Sequence, residues 1–151
     1  MKRYSKLVVA FLAVAGLLLA SDGFAQKRRV SKYKMDLEDK MVSMMSSLMK
    51  EKEAEGWKCV VNVHESNDGK GQDAELRFTM PLDEFTALAP VAALETAAIP
   101  HKFDVVYIYL RHELTDRIGR VAFRDAEPIA GRYLAGDKRA VREMTEAIIW
   151  H

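Results

Sequence analysis

Residues 103–124 constrain the fold more than any other stretch of this chain. They read Phe-Asp-Val-Val-Tyr-Ile-Tyr-Leu-Arg-His, then Glu-Leu-Thr-Asp, then Arg-Ile-Gly-Arg-Val-Ala-Phe-Arg. The first part is the densest run of β-branched and aromatic side chains in the sequence, and such side chains suit a pleated, buried surface. The last part alternates, with Ile118, Arg120, Ala122 and Arg124 on one side and Gly119, Val121 and Phe123 on the other. A short polar joint between two such runs predicts a β-hairpin whose first strand is central in its sheet.

A second hairpin precedes it. Trp57 to Glu65 places Trp57, Cys59, Val61 and Val63 on one face, and Ala74 to Met80 places Ala74, Leu76, Phe78 and Met80 inward with Glu75, Arg77 and Thr79 outward. The polar, glycine-bearing residues 66–73 join them as a loop. Such alternation implies a sheet with one dry and one wet face.

Helices fill the remaining intervals. Leu37, Met41, Met44 and Leu48 recur at the helical period within Met35 to Glu55, with Met45 and Met49 widening the stripe. Pro81 opens a helix that Pro90 is expected to interrupt, because its ring clashes with the preceding turn. Val91 to Ala98 then forms a second piece after a kink. Ile129 to Ala135 reads as a short helix or irregular segment, and Asp137 to Trp150 as the last helix, with Asp137 as its cap.

These elements predict an α+β fold: a four-stranded antiparallel sheet made from two β-hairpins, with helices mainly on one face. The order helix, hairpin, helix, hairpin, helix also raises a tandem helix–hairpin repeat. His64-Glu65 and His112-Glu113 would end the first strand of each unit, and Pro81 and Pro128 would open the segment after each.

Residues 1–25 stand apart from the fold. Lys2, Arg3 and Lys6 precede an apolar run from Leu7 to Ala20, and Gly23-Phe24-Ala25 supplies small residues for cleavage. This is the secretory signal pattern, and the apolar run is short for a membrane span, which needs about 20 residues. The reading is a signal peptide at 1–25, a flexible basic segment at 26–34 and a single α+β domain at 35–151. It places the protein in the periplasm or outside the cell, with no stable membrane span after cleavage. Formal net charge is +1 for the whole chain. The leader carries three basic residues (Lys2, Arg3 and Lys6) and one acidic residue (Asp22), more than the whole of that excess, so the mature chain is near neutral on the acidic side, about −1, and has no electrostatic footprint for nucleic acid.

The chemistry-bearing residues are few. Cys59 is the single cysteine, so no internal disulfide forms, and its place on an apolar strand face suggests a buried thiol. Two histidines and two carboxylates, His64, Glu65, His112 and Glu113, would suit zinc if they converged. Adjacent strand residues point to opposite faces, however, which works against convergence. Met41, Met45 and Met49 align as a thioether stripe that fits core packing first and a Cu(I) site second. No nucleotide-binding glycine loop and no Gly-x-Ser-x-Gly is present, and no cofactor is expected.

The remaining candidate is a recognition surface. Tyr107 and Tyr109 share a side with Arg111, and Arg120 and Arg124 extend the basic character of the second hairpin. Tyrosine and arginine are enriched among interface anchors. If helices cover only one side of the sheet, the tyrosine side needs a partner. The expected function is therefore a non-enzymatic binding domain, its partner an envelope protein or a second copy. The alternative is a metal-dependent hydrolase, or a zinc- or Cu(I)-binding envelope protein.

Overall fold

The computed structural model describes residues 32–49, 56–111 and 116–151. The chain divides into two units, residues 1–37 and 38–151. In the first unit the described residues, 32–37, are helical. The leader and most of the basic segment lie outside the described residues.

Among the described residues the second unit is a mixed α+β domain with four helices and a five-stranded sheet. Helix α1 (residues 38–49) is followed by strands β1 (Lys58–Glu65) and β2 (Gln72–Thr79). Helix α2 (Leu82–Ala97), strands β3 (Val105–Arg111) and β4 (Asp116–Ala122), helices α3 (Phe123–Leu134) and α4 (Ala140–Ala147) and strand β5 (Ile149–Trp150) complete it. The strand order is β1-β2-β3-β4-β5.

Both expected hairpins form. β1 pairs antiparallel with β2 and β3 with β4. The 66–71 loop closes the first through Ser66 N–H donating to the Gly71 carbonyl at 3.0 Å, with Gly69 at φ +67°.

The junction between the hairpins differs from the all-antiparallel expectation, because β2 and β3 are parallel, with Ala74 level with Val106 and Phe78 with Leu110. The reason lies in α2. It runs unbroken through Pro90 for 16 residues, a length of about 24 Å at 1.5 Å per residue. The eight residues of β2 span about 26 Å. A straight helix therefore returns the chain to the end where β2 began, which is the geometry of a parallel crossover. Two kinked half-helices would not have carried it that far.

This direction also removes the tandem repeat. β1 and β3 run opposite ways in one sheet. Superposing one hairpin on the other then needs a rotation about an axis in the sheet plane, which exchanges the faces. The helices that follow the hairpins would lie on opposite sides, yet α2 and α3 pack against each other.

The fifth strand replaces the end of the helix expected over Asp137 to Trp150. α4 stops at Ala147, and Ile149-Trp150 pairs antiparallel with Arg120 and Gly119 of β4. The β-branched and aromatic residues at the chain's end favour the pleated surface. Gly119 makes room: a Cβ there would sit 2.7 Å from the Trp150 ring. α3 likewise begins earlier than expected, at Phe123, and runs through Pro128.

The core lies on one face of the sheet. Val61 and Val63, then Ala74, Leu76 and Phe78, then Val106, Ile108 and Leu110, then Val121 are buried there. α2, α3 and α4 pack together on this side. Phe85 of α2 meets Phe78 edge-on at 5.9 Å and Trp150 at 5.7 Å. In α1, Met41, Met45 and Met49 are buried along an i, i+4 line, the pattern of a helix packing through one ridge. Leu48 and Met49 share a small cleft with Trp57 and with Ala87 and Leu88 of α2. Glu38 reaches the outer edge of β1, where its Oε1 accepts from Val63 N–H at 2.8 Å.

Candidate functional site

The other face of the sheet carries no described helix. Its side chains fall in rows that follow from strand register. One row crosses Val60, Arg77, Tyr109 and Ile118. The next crosses Asn62, Glu75, Tyr107, Arg120 and Ile149. Lys58, Thr79, Arg111 and Asp116 lie beyond the first row, and His64, Asp73, Val105 and Ala122 beyond the second.

Two acids of this face are buried. Glu75 is 6% exposed, although the alternation of β2 turns it away from the core. Arg77 Nε donates to its Oε1, and His64 Nε2 lies 3.3 Å from its Oε2. Asp73 is buried at the end of the sheet, where its Oδ1 accepts from Ser66 Oγ at 2.9 Å and from Val105 N–H at 3.2 Å. Both carboxylates therefore have partners, as burial of charge demands.

The tyrosines form a floor. Tyr107 and Tyr109 are half-buried and stacked at 6.2 Å. His64 stacks beside Tyr107 at 6.5 Å, and the Arg77 guanidinium lies 5.2 Å from the centre of the Tyr109 ring. Burial first, then the neighbouring Glu75 charge, pushes the Tyr109 phenol up from its ordinary value. Beside Tyr109 a recess of about 490 Å³ opens between Val60, Ile118, Arg77 and Arg111.

The sequence-derived binding residues divide cleanly. Tyr107, Tyr109, Arg111 and Arg120 share this open face. Arg124 does not: β4 ends at Ala122, and Arg124 sits in the first turn of α3, 3.8 Å from Asp125. Arg117 turns to the helical side and lies over the Trp150 ring at 4.9 Å. Val60, Glu75 and Arg77 belong to the site without having been singled out. The alternation of β1 and β2 already placed them outward, but which residues flank Tyr109 depends on the parallel β2–β3 register.

The alternative metal set does not assemble in the part described. His64 faces Glu75, whereas its neighbour Glu65 alternates to the opposite side. His112 and Glu113 lie outside the described residues. Among the described residues no three His, Cys, Asp or Glu side chains converge on a point where an ion would sit. Cys59 lies on the core side beside Phe78, half-buried, its thiol pushed up to about 12 by burial. A protonated thiol of that kind is not a nucleophile. No described helix is long and apolar enough to cross a membrane.

Comparison with protein-family models, with curated proteins and with solved structures finds no match to this chain.

Proposed function

We propose that this chain is a small exported binding domain that recognises a partner through the helix-free face of its sheet and performs no reaction itself. The observation that carries the reading is the row Val60, Arg77, Tyr109 and Ile118, whose apolar members border a recess on a face with no described helix above it. Val60 is 61% exposed there, and Ile149, on the same face, is also exposed. Exposed apolar groups set among arginine and tyrosine are the composition of an interface centre rather than of ordinary surface. Export rests on the leader pattern of residues 1–25.

Site-specific photo-cross-linking in the exporting cell tests the reading. Val60 and Leu134 are matched probes, because Leu134 is 65% exposed at the end of α3 on the helical side. A photoreactive residue at Val60 is expected to give discrete adducts and one at Leu134 none. Equal adducts from both, or adducts from Leu134 alone, would reject the sheet face as the binding surface.

A further inference from the structure

The open face presents to solvent a charge different from the one it contains. Its described acids are Asp73, Glu75 and Asp116, but the first two are buried and held by internal partners. Its cations, Lys58, Arg77, Arg111 and Arg120, are all exposed. Among the described residues, an approaching molecule therefore meets four cations and one acid. Arg77 is already paired with Glu75. Lys58, Arg111 and Arg120 form no ion pair with a described residue.

The cations are also spread out. Arg111 is level with Asp116 and Tyr107 with Arg120, so Arg111 and Arg120 are four residues apart along the strands, roughly 13 Å. Lys58 on β1 and Arg111 on β3 are two strand spacings apart, about 10 Å. One carboxylate or one phosphate cannot bridge such distances. On the row between Arg111 and Arg120 lie Tyr109 and Ile118, which with Val60 give apolar walls to a recess that Arg77 and Arg111 also border. A flat lipid surface would leave that recess unfilled, and a second copy would bring the same cations against themselves.

We infer, on the basis that this face is the binding surface, that its occupant is an acidic polypeptide segment lying extended along β3 and β4. In extended chain, residues i, i+2 and i+4 face one way, and four residues span about 13 Å. The matching pattern is a carboxylate, an apolar side chain and a second carboxylate at those positions. The first meets Arg111 on its Lys58 side, away from Asp116. The apolar side chain fills the recess, and the second carboxylate meets Arg120.

The test is titration of the ¹⁵N-labelled exported protein with the capped peptide Ser-Glu-Ser-Leu-Ser-Glu-Ser, followed by amide chemical shifts. Shifts are expected at Tyr109, Arg111, Ile118 and Arg120. Exchanging both peptide glutamates for glutamine, or making the Arg111→Gln, Arg120→Gln double variant, is expected to weaken binding roughly threefold to tenfold, the scale of two exposed ion pairs. Added salt should weaken it likewise. Equal binding of the glutamine peptide would overturn the acidic assignment. So would sedimentation with anionic vesicles in place of peptide binding, or a light-scattering dimer that buries Tyr109. Each of those leaves the face itself as the binding surface. Shifts confined to α2, α3 and α4 would overturn both.

Discussion

Glu75 on β2 is held from the diagonal position on β1 by His64, whose Nε2 lies 3.3 Å from Oε2, while Arg77 holds the other oxygen from its own strand. This places a buried acid on the face that lacks a described helix, sealed by the exposed Arg77 and the half-buried His64. The arrangement predicts an asymmetry. Removing the acid frees His64 and Arg77 to water, whereas removing a base leaves the acid buried and short of a partner. Arg77→Leu is therefore expected to destabilise the fold by about 1–3 kcal/mol, and Glu75→Leu by less. Urea denaturation of the two variants measures the order, and a reversed order would show that the pair stabilises mainly through the acid's own contacts.

The strands and their facing were legible because period-two alternation is local. The placement of Ala74, Leu76 and Phe78 inward and of Tyr107, Tyr109 and Arg111 outward followed from it directly. What was not legible was direction. Nothing in residues 72–79 states that β3 will run parallel, since that depends on whether α2 runs straight through Pro90. Arg77 was visible as an outward residue, but its position over Tyr109 is set by the parallel register. The end of the chain departs from its local pattern for a related reason. Val141, Met144 and Ile148 fit a helical face in sequence, and only the space above Gly119 selects the strand for Ile149 and Trp150.

Gly119 and Gly131 offer a contrast. An added Cβ at Gly119 would lie 2.7 Å from the Trp150 ring and 2.8 Å from Ile148, while at Gly131 nothing lies within 4 Å. Gly119→Ala must displace β5 and its contact with Phe85, a loss expected at about 1–3 kcal/mol. Gly131→Ala, in the interior of α3, should raise stability by roughly 0.5–1 kcal/mol through helix propensity. Thermal denaturation of both variants checks the opposite signs.

Burial holds the Cys59 thiol near 12, so almost none of it is thiolate at pH 8. The thiol-exchange reagent DTNB is expected to modify it at least about a hundredfold more slowly in the native protein than in urea. Cys59→Ala should preserve the fold at a cost of about 1 kcal/mol, since it removes one small group beside Phe78. Rapid native labelling would mean that β1 opens at its outer edge, where Glu38 caps Val63.

His101 provides a pH signature on the acid side. It packs edge-on against Phe103 at 4.6 Å, and burial lowers its pKa below the ordinary 6.5. The folded protein therefore holds the neutral ring, while the unfolded chain takes up a proton more readily. By linkage, this contribution is fully present above pH 6.5 and is lost as the pH falls below it toward the folded-state value. His101→Gln removes the titration without adding a charge. The stability difference between the two proteins should be constant from neutral pH down to 6.5 and should shift in favour of the variant at lower pH. Urea midpoints taken at intervals from pH 8 to 4 give the curve, and a difference that stays flat through the acid range would show that His101 protonates as easily in the fold as in water.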